Sequence, residues 1–167
     1  MTDLARGILS AARTKGVMIT TAESCTGGMV SAALTDTAGS SAVFERGFVT
    51  YTNAAKMQML GVRKASLDAY GAVSEQVARE MALGAIAHAD AQIAVSITGI
   101  AGPGGSDHKP EGRVCFGIAA PEHCQTETVE FGALGRALVR QAACDHALGL
   151  LLSTIDATPI TGVAQKS

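Results

Sequence analysis

The sequence has no Trp, only two Tyr and four Phe, and no excess of basic residues, since 13 Lys and Arg stand against 15 Asp and Glu. A protein without a basic surface lacks the main electrostatic attraction to DNA or RNA. Aromatic residues this scarce form no stacking platform for single-stranded nucleic acid. We therefore expect no nucleic-acid partner, and a small polar ligand bound largely through backbone groups.

Metal-binding spacings are also missing. The four cysteines stand at positions 25, 115, 124 and 144, and no two of them have the CxxC spacing of a zinc or redox site. The four histidines form no ligand-spaced pair. We expect no metal site.

The chain has no long hydrophobic run and no export signal. No apolar run approaches the ~20 residues that cross a bilayer, and the first 16 residues carry Asp3 without the order of a signal peptide. These absences favour a cytoplasmic protein with reduced thiols and no membrane partner. With 47% hydrophobic residues, the chain is expected to form a single domain over residues 1–167, frayed from about residue 157.

Hydrophobic periodicity alternates between helix and strand. It predicts helices before Gly16, after Gly28, after an Asn53 cap, after a Ser74 cap, and over about 134–155, with a connector at 61–71. Five β-rich runs lie at 17–22, 44–52, 92–98, 113–120 and 125–131. The strand–helix alternation favours parallel strands, while the short last link requires an antiparallel pair. The prediction is an α/β protein, a three-layer α/β/α sandwich with a mixed five-stranded sheet.

The segment 21–28, TAESCTGG, turns from a strand into a helix at two glycines. A hydroxyl or thiol beside a helix N-terminus has unpaired N–H groups at hand to stabilise an anion. Ser24, Cys25 and Thr26 are therefore candidate nucleophiles, and Cys25 stays open because thiols at helix N-termini have a lowered pKa. The alternative interpretation is that these residues only cap the helix.

Lys56 ends the segment 48–56, FVTYTNAAK, and no other charged residue lies between positions 48 and 60. A lysine pKa near 10.4 is ~3.4 units above neutral pH, a cost of roughly 4.6 kcal/mol for a neutral base. An environment poor in other charge lowers that cost by disfavouring the ammonium. Lys56 is thus a candidate base for a serine without a histidine partner, although most lysines are surface charges.

Two further features suit a phosphate. The loop in 96–112, SITGIAGPGGSDHKPEG, follows a predicted strand and is rich in glycine, as are backbone nests for anions. Arg136 and Arg140 are four residues apart, so they share a face of the last helix and could clamp a phosphate. A plain long loop and a solvated helix face are the alternatives.

Taken together, these segments resemble the carboxy-terminal domain of the CinA family. The matching stretches are AESCTGG, AGSSAVFERGFVTYTNAAK, GVR, GAVSEQVAREMA, and AVSITGIAGPGG followed by KPEGRV. The resemblance implies an α/β/α sandwich and a nicotinamide-nucleotide amidase, which converts nicotinamide mononucleotide to nicotinate mononucleotide and ammonia. It implies Ser24 and Lys56 as catalytic residues and no cofactor, with Tyr51, Asn53 and Thr98 in the pocket.

Backbone groups complete the expected site. The developing oxyanion is expected to be held by N–H groups among Thr26, Gly27 and Gly28. The ribose or 5′-phosphate is expected in the glycine-rich loop, with Gly99, Gly102, Gly104 and Gly105. For the phosphate, Arg140 matches the family better than Arg136.

One stretch departs from the family. Members often carry Gly-Asp-Arg before the last helix, whereas residues 132–136 read GALGR and lack the acid. This departure supports the alternative of a non-catalytic nucleotide-binding or regulatory module. Helices rich in small residues, at 78–91 and 137–152, could pack between subunits, so a homodimer is the expected assembly.

Overall fold

The structure, a computed structural model, describes residues 2–159, and of Thr2 the backbone alone. Most of the tail predicted to fray, residues 160–167, lies outside the described residues. The elements in chain order are α1 (Thr2–Lys15), β1 (Ile19–Glu23), α2 (Met29–Thr35), a short 3-10 helix (Ser40–Ala42), β2 (Phe44–Val49), α3 (Asn53–Leu60), α4 (Lys64–Tyr70), α5 (Glu75–Ala87), β3 (Ile93–Gly99), β4 (Arg113–Ala120), β5 (His123–Glu130) and α6 (Arg136–Ala157).

The five strands form one mixed sheet in the order β2-β1-β3-β4-β5. β1 is parallel to both of its neighbours, β2 and β3. β4 is antiparallel to both β3 and β5. For β4 and β5 the short link between them requires this direction. The predicted fold class, a three-layer sandwich with a mixed five-stranded sheet, is confirmed.

Helices cover both faces of the sheet. The face under α1, α2 and α6 carries a core of large side chains, among them Ile8, Leu34, Phe116 and Leu148. The other face is covered by α5, with α3 and α4 packed against that helix, and its core is rich in alanine. A Cβ at Gly84 would lie 1.9 Å from the carbonyl oxygen of Leu60, so glycine is what lets α5 approach α3 closely.

Three local predictions differ from the structure. Residues 61–71 contain the seven-residue helix α4, whose preceding residue Arg63 makes no capping bond through its side chain, so the segment lacks a start signal. Thr52 rather than Asn53 caps α3, because the Thr52 hydroxyl accepts a hydrogen bond from the amide of Ala55 at 3.1 Å. The last helix begins at Arg136 because Gly135 has φ +87°.

Within residues 2–159, no helix combines the length and apolar character needed to cross a membrane. The same part of the chain holds no group of three or more His, Cys, Asp or Glu side chains that could bind a metal ion.

Candidate active site

A cavity of about 170 Å³ lies where the parallel strands end. Ser24 follows β1, Thr98 and Gly99 end β3, and the segment after β2 leads into α3. Because β1, β2 and β3 are parallel, their carboxyl ends meet at one edge, the usual place for ligands in such sheets. The cavity is lined by Ser24, Cys25, Tyr51, Asn53, Lys56, Ala72, Val73, Thr98, Gly99, Ala101 and Arg136.

Ser24 and Lys56 are in direct contact in this cavity. The Nζ atom of Lys56 donates to the Oγ atom of Ser24 at 2.9 Å and to the backbone oxygen of Thr50 at 2.8 Å. Lys56 is only 1% exposed and Ser24 8% exposed. The two predicted catalytic side chains, 32 positions apart in sequence, are therefore brought together by the fold.

Burial changes the protonation of Lys56. Removal from water lowers the pKa of its amine to about 8, and this outweighs the opposing effect of Cys25. At that pKa, about a tenth of the side chains are uncharged at pH 7. No carboxylate of the described residues forms an ion pair with Lys56 that would restore the charge.

Cys25 has the opposite character. Its side chain is 5% exposed and belongs to the core under α1, α2 and α6. Burial raises the pKa of its thiol to about 12, and the favourable effects of its own amide, Lys56 and Arg140 do not offset this. The lowered pKa expected for a thiol before a helix is therefore wrong here, and the thiol is protonated near neutral pH.

Glu23 occupies the N-terminus of α2. Its fully buried carboxylate accepts from the amides of Gly28 at 3.0 Å, Val30 at 3.1 Å and Ser31 at 2.8 Å, and from the Ser31 hydroxyl at 2.8 Å. Sequence reasoning treated this helix end as open and overlooked Glu23. The signal that could have found it is an acid at the end of a strand that carries no other charge, just before the turn.

The partners of the turn change the predicted oxyanion site. The amide of Gly28 donates to the carboxylate of Glu23, and the amide of Gly27 donates to the backbone oxygen of Ser24 at 3.1 Å. Neither amide is free, so the expectation for Gly27 and Gly28 is corrected. Of the three predicted donors, only the amide of Thr26 has no acceptor among residues 2–159.

The two arginines of α6 differ in their contacts. Arg140 donates to two backbone oxygens, from Nε to that of Cys25 at 2.9 Å and from Nη2 to that of Thr26 at 3.1 Å. Arg136 lines the cavity and donates to the oxygen of Gly102 at 2.8 Å and to the Tyr51 hydroxyl at 2.6 Å. The structure therefore places Arg136 in the cavity wall, whereas Arg140, the arginine expected at the phosphate, does not line the cavity.

The glycine-rich loop contributes less to the cavity than expected. Gly99 lines it, but Gly102, Gly104 and Gly105 do not. The amide of Gly104 donates to Glu111 at 2.7 Å, so an internal carboxylate occupies part of the predicted anion nest. Gly102 and Gly105 instead allow close packing, since a Cβ would lie 2.4 Å from the carboxyl carbon of Glu111 at Gly102 and 2.3 Å from the backbone oxygen of Lys109 at Gly105.

The remaining predicted pocket residues, Tyr51, Asn53 and Thr98, all line the cavity. Tyr51 is 60% exposed and stands at the rim. The Thr98 hydroxyl donates to the oxygen of Ala72 at 2.8 Å, which joins the end of β3 to the segment before α5.

The fold and the cavity define an α/β/α sandwich protein in which a buried lysine is hydrogen-bonded to a serine at the carboxyl edge of the sheet. The family model described as the CinA C-terminal domain matches residues 1–155. The chain belongs to this family, and the resemblance found in the sequence is confirmed.

Relatives and solved structures agree with this assignment. Nicotinamide-nucleotide amidohydrolase PncC of Enterobacter agglomerans is 57% identical over 121 residues, which cover 72% of this chain and 74% of the relative. The protein of the same name from Escherichia coli (strain K12) is 51% identical over 150 residues, which cover 89% and 91%. The crystal structure of competence/damage inducible protein CihA from Agrobacterium tumefaciens has a TM-score of 0.89 and 46% identity, covering 93% of this chain and 94% of that one.

Proposed function

We propose that this chain is an amidase that hydrolyses the carboxamide of nicotinamide mononucleotide, releasing nicotinate mononucleotide and ammonia. The observation that carries the proposal is the 2.9 Å contact between the Lys56 amine and the Ser24 hydroxyl in the cavity. The names of the relatives at 51% and 57% identity support the substrate and the reaction.

The first step is acylation of Ser24. Uncharged Lys56 takes the hydroxyl proton, and the Ser24 oxygen attacks the carboxamide carbon. Negative charge then develops on the former carbonyl oxygen, and the unpartnered amide of Thr26 is the donor that the turn offers to it. The lowered pKa of Lys56 supports this role, because it makes the uncharged form accessible near neutral pH.

The second half of the reaction returns the enzyme to its starting state. Protonated Lys56 gives its proton to the amide nitrogen, the carbon–nitrogen bond breaks, and ammonia leaves an ester on Ser24. A water molecule then gives a proton to Lys56 and attacks the ester, and the acid product leaves as the Ser24 oxygen regains its proton. The bond to the Thr50 oxygen keeps the amine in place throughout.

The size of the cavity limits what part of the substrate it takes. Its volume of about 170 Å³ is below the ~300–1,000 Å³ of pockets that bury a whole drug-sized ligand. We therefore place the pyridine ring inside and the ribose phosphate at the rim. Arg136 lies there with two neutral acceptors, Gly102 and Tyr51, which a phosphate can replace as the stronger acceptor.

The test is ammonia release by the wild type and by Ser24→Ala and Lys56→Ala. Both variants are expected to lose at least about a thousandfold in kcat while still binding the mononucleotide in calorimetry. Cys25→Ala keeps its activity if the serine is the nucleophile and loses it if the thiol is. Wild type that binds the mononucleotide without releasing ammonia would establish the alternative of a non-catalytic module.

A further inference from the structure

Arg140 makes an unusual pair of contacts with the turn that carries Ser24. Its guanidinium binds two successive backbone oxygens, those of Cys25 and Thr26, at 2.9 and 3.1 Å. Position 27 leaves room for it, because a Cβ there would lie 3.3 Å from the Nη2 atom, and this glycine has φ +60°. The turn is thus shaped to receive the arginine.

Binding these oxygens also fixes the direction of an amide. In a trans peptide the C=O and the N–H lie in one plane and point in opposite directions. The backbone oxygen of Cys25 shares its peptide plane with the amide of Thr26, which has no acceptor among residues 2–159. Holding that oxygen on α6 therefore sets where the Thr26 N–H points.

The other side of the same turn is held by an opposite charge. The Glu23 carboxylate binds the amides of Gly28, Val30 and Ser31, while Arg140 binds the carbonyl oxygens earlier in the turn. Between these two sets of contacts, the amide of Gly27 donates to the backbone oxygen of Ser24 at 3.1 Å. Residues 24–28 are therefore held at both ends. From outside the segment 21–31, Arg140 binds the backbone oxygens of Cys25 and Thr26, while the other contacts, from Ile97 and Lys56, are with Ser24.

We propose that Arg140 is a positioning residue for the nucleophile turn, which orients the Thr26 amide toward the oxyanion through its bonds to Cys25 and Thr26. The inference rests on the proposed amidase function. It assigns different roles to two arginines on one helix, since Arg136 lines the cavity and Arg140 does not.

The kinetic test compares four variants with the wild type. Arg140→Ala is expected to lower kcat about 10- to 100-fold with KM changed less than about threefold, since full loss of one oxyanion donor costs ~100- to 1,000-fold. Arg140→Lys is expected to recover only part of kcat, because an ammonium lacks the fork that reaches two acceptors. Arg136→Ala is expected to raise KM instead. Arg79→Ala is the matched control, as Arg79 also donates to a backbone oxygen, that of Cys124, away from the cavity.

A second measurement does not depend on activity. Hydrogen exchange at the amides of Gly27 and Gly28 is expected to rise at least about tenfold in Arg140→Ala and to stay unchanged in Arg79→Ala. A rise in KM at constant kcat, or unaltered exchange, would overturn the role of Arg140. An inactive wild type would instead refute the proposed function, and the exchange rates would still decide the role of Arg140.

Discussion

Two glycine-rich turns follow parallel strands at the same edge of the sheet, residues 24–28 after β1 and residues 99–106 after β3. In both, amides that the glycines expose are bound by a glutamate of the same chain. Glu23 precedes its turn and binds the helix behind it. Glu111 follows its loop and binds the amides of Gly104 and Gly135, so it ties the loop to the start of α6.

The difference lies in what each turn leaves open. Around Glu23 the carboxylate does not bind the amide of Thr26 or the hydroxyl of Ser24, and that hydroxyl accepts from Lys56. Around Glu111 the loop mainly provides a wall, through Gly99 and the contact of Gly102 with Arg136. Glycine in a turn therefore indicates exposed amides, but the nearest carboxylate decides which of them a ligand can use.

The sharpest way to break this comparison is to remove the buried acceptor of the first turn. Glu23→Ala leaves the amides of Gly28, Val30 and Ser31 without their acceptor in the interior. We expect a loss of about 3 kcal/mol or more in the free energy of unfolding, and loss of activity in the folded fraction. Urea unfolding measures it, with Glu23→Gln as the milder variant, and an effect below about 1 kcal/mol would contradict it.

The second prediction concerns Lys56 of α3, whose buried amine contacts Ser24 of the first turn and is expected to lower the stability of the fold. The folded-state pKa of about 8 lies below the ordinary 10.5, so below pH 8 folding works against a charged buried amine. Between pH 8 and 10.5 the unfolded chain binds more protons, and stability from this group rises with pH. Lys56→Met is therefore expected to stabilise the fold by about 2 kcal/mol at pH 7, after loss of two hydrogen bonds, while abolishing activity.

Unfolding curves at pH 7 and pH 10 measure this prediction. The gain from Lys56→Met should shrink at the higher pH, because the wild-type amine is then largely uncharged. A gain that is equal at both pH values would contradict a lowered pKa for Lys56.

Arg136 tests the wall formed beside the second turn. Its bonds to Gly102 and Tyr51 place the guanidinium at the rim. Arg136→Ala is expected to raise KM for the mononucleotide about tenfold, close to 1.4 kcal/mol, because one phosphate contact is lost. KM for the riboside, which lacks the phosphate, should change less than about twofold. Equal changes for both compounds would place the phosphate elsewhere.

The smallest effect is expected at Glu111. Its carboxylate is half-buried and binds two amides of exposed residues, which water can reach when it is removed. Glu111→Ala is expected to cost less than about 1.5 kcal/mol and to change kcat less than about threefold. Thermal unfolding and steady-state kinetics measure both. A loss of unfolding free energy as large as that of Glu23→Ala would contradict the proposed difference between the two turns.

Much of the fold could be predicted because its signals are local. Each β-rich run overlaps a strand, although the run at 44–52 extends three residues beyond β2. The short link between β4 and β5 sets an antiparallel pair whatever surrounds it. Residue type and neighbours made Ser24 one of three candidate nucleophiles and Lys56 a candidate base, and the resemblance to the family selected this pair. Helix α4 was not found, since seven residues without a side-chain cap give no periodic signal.

The partners of these residues could not be predicted in the same way. Whether Arg136 or Arg140 faces the cavity depends on how α6 crosses the sheet, since both lie on one face of the helix. The protonation of Cys25 depends on how deeply its side chain is packed, and burial outweighs the helix terminus there.

By itself, then, the sequence determined the order of the strands and of every helix but α4 and the short 3-10 helix, the family, and, through the family, the serine and lysine that the cavity contains. The tertiary structure alone decided their 2.9 Å contact, the burial that lowers the pKa of Lys56, and the use of two glutamates as internal acceptors. The physical reason is range. Hydrogen bonding within a turn and the periodicity of an element act between near neighbours, whereas desolvation and charge pairing depend on atoms brought together from distant parts of the chain.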